Sequence, residues 1–211
     1  YGKYNSGVVK GYYEAVQMWR LHELLAAELK KRGVTVVLTR QSQAADLSLI
    51  SRGKKAKGCD LFLSLHSKQL FPDALVETRP CFNVHPGLNP HNRGWFPQVF
   101  SILNGLPCGV TIHKMDAQLD HGPIAWQEEV PQHPWDTSKD IYDRILAKEL
   151  ELLDRHLGDL LTGNYTLTPM PSEGNINYKA DFDALCRIDR DEQATYGAVI
   201  IINELHVVAV V

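Results

Sequence analysis

Val34-Thr35-Val36-Val37-Leu38-Thr39 and, further on, Asp60-Leu61-Phe62-Leu63-Ser64-Leu65 are the two runs that set the expected fold. Both are short apolar runs of strand length, and the first is rich in β-branched residues that pack well on a pleated surface. Each follows a helical segment. From Glu14 to Arg32, residues Met18, Leu21, Leu25 and Leu29 recur at spacings of three and four, and Gly33 supplies the stop. Leu49 to Lys57 reads as a shorter helix closed by Gly58. Helix, strand, helix, strand in succession predicts an α/β fold: a mostly parallel sheet with helices on both faces.

The pattern continues outward. Cys81 to His85 is a brief strand that Pro86 ends. Pro97 to Asn104 makes a helical turn or two, with proline near its first position. Gly109 to Met115 and Ile124 to Val130 read as strands joined by a turn. Thr137 or Ser138 can cap a long helix to about Leu161, with Ile141, Ile145, Leu150, Leu153, Leu157 and Leu160 expected inward, and Gly163 ends it. Asn164 to Asn177, with its Pro, Gly, Ser and Asn, reads as an extended surface segment. The terminal run Leu205-His-Val-Val-Ala-Val-Val211 needs neighbouring strands to bury it. The 211 residues suit one substantial domain, taken as 1–211.

Composition narrows the function classes. A hydrophobic share of 44% and a charged share of 22% are ordinary for a soluble globular protein. No apolar run reaches the ~20 residues of a membrane helix, and no charged-then-apolar stretch follows Tyr1, so neither a membrane partner nor a signal peptide is expected. A net charge of −3 offers no footprint for nucleic acid. Arg52-Gly-Lys-Lys-Ala-Lys57 is short enough to be a solvated helix face. Cys59, Cys81, Cys108 and Cys186 form no C-x-x-C pair, and read as free thiols in a reducing, cytoplasmic compartment.

Phe82-Asn83-Val84-His85-Pro86 carries the chemistry. Two positions apart on a strand, Asn83 and His85 share a face. The Asn83 amide can donate to an oxyanion, and the His85 imidazole can take a proton near neutral pH. Asp120, in Leu119-Asp-His-Gly-Pro-Ile124, stands just before a strand and can orient the histidine. Moving an acyl-type group to an amine needs a base, an oxyanion donor and a group that orients the base.

Asn-x-His-Pro followed by Asp-x-Gly-x-Ile resembles the catalytic pattern of 10-formyltetrahydrofolate-dependent formyltransferases. In that family the three residues matching Asn83, His85 and Asp120 form the triad. Asn83 through Phe100, with Ser67-Lys-Gln-Leu-Phe-Pro72, Gly109-Val-Thr-Ile-His113 and the stretch from Met170 to Arg187, is similar to the branch that formylates nucleotide-linked amino sugars. The resemblance runs from about residue 58 to 200. It implies 10-formyltetrahydrofolate as cosubstrate, near Gln69, Leu70, Phe71, Gly122 and Ile124. It implies a dTDP-linked amino sugar near Asn89, Arg93, Trp95 and Gln98. His91, His113, His121 and His133 read as surface histidines or ones behind the site, with His113 the one that could flank the folate.

Residues 1–67 resemble a different family. Glu14 heading a helix, Gly33-x-x-Val-x-Leu-Thr-Arg40, Leu49-x-x-Arg52 and Cys59-Asp-Leu-Phe-Leu-Ser-Leu-His66-Ser are similar to a zinc-dependent N-acetylmuramoyl-L-alanine amidase. That resemblance implies Glu14 and His66 as zinc ligands. The family's upstream histidine has no counterpart, since His22 is the first histidine, and two protein ligands hold zinc poorly. Zinc is therefore not expected. Three functions follow as alternatives: formyl transfer to an amino sugar, an amidase fragment, or a recombined or engineered scaffold without turnover.

Overall fold

Thr137 fixes the start of the longest helix. Its hydroxyl accepts from the Asp140 N–H while the Asp140 carboxylate accepts from the Thr137 N–H, a capping box that satisfies two otherwise orphaned donors. The structure is a computed structural model and describes residues 14–39, 41–42, 49–66, 70–185, 199–203 and 206–210. In chain order its elements are α1 (Glu14–Lys31), α2 (Leu49–Ala56), β1 (Phe62–Leu65), α3 (Asp73–Val76), β2 (Cys81–His85), β3 (Arg93–Gly94) and α4 (Pro97–Asn104). They continue with β4 (Cys108–Lys114), β5 (Ile124–Val130), α5 (Ser138–Thr162), β6 (Ile176–Asn177), α6 (Lys179–Leu185), β7 (Val199–Asn203) and β8 (His206–Val210).

The main sheet has the order β1-β2-β4-β5. Strand β1 pairs parallel with β2, but β2–β4 and β4–β5 are antiparallel. The α/β layering stands; the mostly parallel pairing holds only at the β1 side. Connection length explains the β4–β5 pairing. Residues 115–123 are too few to carry a crossover, so β4 and β5 meet antiparallel. The expected strand at Val34–Thr39 does not form, and the segment pairs with no strand among the described residues. It lies across a cavity of about 520 Å³ from Leu61–His66, with α1 as a third wall. The terminal run is met by β7, which pairs antiparallel with β8; Glu204 and Leu205 lie outside the described residues.

Alternation divides the sheet into two unlike faces. Phe82, Val84, Val110 and Ile112 are fully buried against Ile141, Ile145, Leu152 and Leu153 of α5 and Leu21 of α1. Leu150, expected inward, is 41% exposed, and Glu149 takes the inward position instead. A period of 3.6 from Ile141 and Ile145 arrives at 149 and 152, not at 150. On the opposite face the register sets Asn83 beside His113 and His85 beside Thr111. The loop 86–96 covers that face, through Asn89 N–H to Thr111 Oγ1 (3.0 Å) and Thr111 Oγ1 to the Gly87 carbonyl (2.7 Å).

Candidate active site

Asp120 is the centre on which the polar face converges. Its Oδ1 accepts from Asn83 Nδ2 at 3.1 Å and its Oδ2 from the Gly94 N–H at 3.1 Å. His85 Nδ1 lies 3.5 Å from the same Oδ2, longer than a formed hydrogen bond but within the looseness of sites without ligand. The Asp120 carbonyl accepts from Asn89 Nδ2 at 2.9 Å. Asp120 sits at φ 43°, a costly region for a residue with a Cβ. These bonds hold it there.

The face is almost dry: Asn83, His85 and His113 are each 2% exposed and Asp120 7%. Burial pushes the His85 imidazole down to about 3, and the neighbouring His66 and Arg93 push the same way. Desolvation keeps the ring neutral, the form that accepts a proton. Burial also raises the Asp120 carboxyl, against the opposing pull of His113, the Gly94 N–H, Arg93 and His66. His113 is lowered by burial first, with Asp120 working against it.

Five buried polar atoms at this site meet no partner: Asn83 Oδ1, His85 Nε2, Asn89 Oδ1, Arg93 Nε and His113 Nε2. Buried groups left in this condition are rare and call for a ligand or water. Such a demand suits a polar reactant. Asn83 keeps a second N–H beyond the one given to Asp120, and a neutral His85 with Nδ1 toward Asp120 leaves Nε2 as acceptor.

The other candidates divide. Leu70 and Phe71 edge a narrow cavity together with Asn83, His113, Gln118, Leu119 and Asp120. Gln69 lies outside the described residues. Gly122 (φ 101°) and Ile124 shape the turn and are not among that cavity's walls. A Cβ on Gly122 would stand 2.1 Å from the Lys114 carbonyl, and the Ile124 backbone is spent on Thr168. Asn89 and Arg93 are buried; the Arg93 guanidinium donates to the Leu119 and Glu173 carbonyls at 3.3 and 2.8 Å. Trp95 rests edge-on against Phe96 and Gln98 is half-buried on α4.

Asn92 is a residue that sequence reasoning missed. Its Oδ1 accepts from Asn104, Asn175 and Asn177, tying β3 to β6 beneath Gly94. The cluster of asparagines around Asn-Arg-Gly was the available signal.

His66 does not stand ready for a metal. Its Nε2 lies 2.5 Å from Glu149 Oε1 and its Nδ1 3.3 Å from the Tyr142 hydroxyl, so protein groups occupy both ring nitrogens. The Glu14 side chain lies outside the described residues. The thiols of Cys59, Cys81 and Cys108 are free, and burial raises Cys108 to about 11; Cys186 lies outside the described residues. No helix among the described residues is long and apolar enough to cross a membrane.

A dry Asn–His–Asp set on the polar face of a mixed α/β sheet is equipment for transferring an acyl-type group. The chain belongs to the formyl transferase family, whose N-terminal domain description matches residues 21–157. The match begins inside the stretch that resembles an amidase, so it takes in most of α1 and all of α2 and β1. The chain is 51% identical over 138 residues to a dTDP-4-amino-4,6-dideoxyglucose formyltransferase of Mycobacterium bovis, covering 65% of this chain and 59% of that protein. It is 33% identical over 125 residues to a methionyl-tRNA formyltransferase of a Methylobacterium species, covering 58% and 40%. A crystal structure of a 4-N formyltransferase from Francisella tularensis superimposes with a TM-score of 0.67 at 40% identity, covering 88% of this chain and 71% of that one. The chain thus spans 59% of the length of the Mycobacterium relative it matches.

Proposed function

We propose that the protein transfers a formyl group from 10-formyltetrahydrofolate to the amine of a dTDP-linked amino sugar. The observation that carries the reading is the buried contact of Asp120 with Asn83 and His85 on one face of β2. The sugar amine attacks the formyl carbon, and the carbonyl oxygen becomes an oxyanion held by the spare N–H of Asn83. His85 Nε2 takes the proton that the amine sheds, and the imidazolium is steadied by Asp120. Collapse of the tetrahedral centre breaks the bond to N10 of the folate; His85 returns the proton there, and tetrahydrofolate leaves. Leu70 and Phe71, with Gln69, form the folate side of this reading. Trp95 and Gln98 face the sugar side, on a frame set by Asn89 and Arg93.

The 51% identity to the amino-sugar enzyme, against 33% to the methionyl-tRNA enzyme, favours a sugar nucleotide over a nucleic-acid partner. In the same reading residues 1–211 act as one domain in the cytoplasm and zinc takes no part. The test is incubation with 10-formyltetrahydrofolate and dTDP-4-amino-4,6-dideoxyglucose, followed by mass spectrometry of the sugar nucleotide. A gain of one formyl group supports the reading. A chain that binds neither ligand and forms no product is the inactive scaffold.

A further inference from the structure

One buried titratable group next to the site has no part in that chemistry. Glu149 on α5 is fully buried, with Oε1 on His66 Nε2 and Oε2 without a partner. Tyr142, seven residues earlier, lies on the same helix face two turns away. Its hydroxyl meets the other ring nitrogen, so one helix grips the His66 imidazole at both ends.

His66 stands just past β1 at φ 50°, a region sparsely populated by residues with a Cβ. From there its backbone N–H donates to the Val84 carbonyl at 3.1 Å. That carbonyl belongs to the peptide leading into His85. The parallel register, Leu65 against Val84, continues to place His66 beside His85. The path from α5 to the catalytic strand is therefore short and made of formed bonds. Stability is a weak reason for keeping the pair: a buried carboxylate loses its hydration, and replacing a whole buried pair by apolar residues of similar volume is often neutral or stabilising.

We propose that Glu149, with Tyr142, is a positioning residue: it anchors the His66 ring, and through the His66–Val84 bond fixes the peptide that aims the His85 imidazole at its substrate. The proposal rests on the reading of His85 as the base, and asks nothing of the charge on His66.

The test uses the full chain with Glu149→Leu and Glu149→Gln. Glu149→Leu is expected to lower kcat by roughly tenfold or more, since small misplacements of a catalytic group are costly. KM for both substrates should hold, while Tm falls because the buried His66 ring loses its partner. Glu149→Gln, whose amide oxygen still accepts from the ring, should recover most of the rate. A purely structural role would lower Tm and leave kcat of the folded protein unchanged, and that result, or a Glu149→Gln that recovers Tm but not kcat, overturns the proposal. Should Glu149→Leu not fold, Tyr142→Phe removes one hydroxyl and carries the same test: kcat down at constant KM and Tm supports it, unchanged kcat overturns it. If the parent forms no product, the proposed function falls by itself. The ring ¹⁵N resonances of His85 then decide: displacement by Glu149→Leu but not Glu149→Gln supports the coupling, and unmoved resonances refute it.

Discussion

The two faces of β2 and β4 are equally buried and differently finished. On one, Phe82, Val84, Val110 and Ile112 meet the apolar side of α5, and none of these four side chains carries a polar atom to satisfy. On the other, Asn83 and His85 are as dry as the core, yet each keeps a polar atom without a partner. Burial alone therefore does not distinguish core from site. What distinguishes them is completeness: the apolar face is satisfied by packing, and the polar face leaves groups for a reactant to satisfy.

The comparison breaks most sharply if the polar face can be altered without loss of function. His85→Asn should cost ~10²–10⁴-fold in kcat, the usual range for removing a general base. Asn83→Ala should cost ~10²–10³-fold through the lost oxyanion donor. Neither should shift folate affinity much, because both act on the transition state. Steady-state kinetics with direct folate titration checks this. Full rate in His85→Asn would remove the mechanism.

On the apolar face the loss should appear as stability. Ile112→Ala leaves a cavity against α5 and should cost about 2–5 kcal/mol in denaturant unfolding. The fraction that remains folded should keep its kcat. A fall in kcat with unchanged stability would erase the distinction between the faces.

A smaller effect comes from pH. His85 stays neutral in the folded protein down to about 3, whereas a histidine of the unfolded chain gains its proton near 6.5. Between those values the unfolded state binds more protons, so stability is lost as pH falls from 6.5 toward 3. His113, also lowered, acts in the same direction. Asp120, raised, has the opposite sign, contributing stability at low pH that is lost as pH rises through its folded value. Tm should fall between about pH 7 and about pH 5, and the fall should be shallower in His85→Gln. Parallel curves for the two proteins would show that His85 is hydrated rather than dry.

The smallest effect belongs to neither face. Thr137→Ala removes the exposed half of the α5 capping box and should cost about 1 kcal/mol, with kcat unchanged. A loss of activity there would mean that α5 controls the site along its whole length rather than at Glu149.

Much of this was legible in residue order because it depends on local rules. Strand β2, helix α4 with its leading proline, strand β5 and the cap of α5 follow from alternation, fixed φ and side-chain capping. Asn83 and His85 share a face because strand geometry allows nothing else. Asp120 was reachable by its motif. The sheet's mixed pairing, the Val34–Thr39 segment that pairs with no strand among the described residues, and the neutral state of His85 were not legible, since each depends on what packs around it from elsewhere in the chain. A run such as Val34-Thr-Val-Val-Leu38 has strand propensity whether or not an edge is offered to it. Leu150 and Glu149 are adjacent letters, and hydrophobicity favours the leucine. Only the packed helix, turning at its own period onto β2 and β4, assigns the acid to the interior and joins it to His66. The sequence by itself determined the chemistry available to each strand face. The tertiary structure decided how dry that chemistry is, because desolvation is a property of everything packed around a group and is written in no single segment.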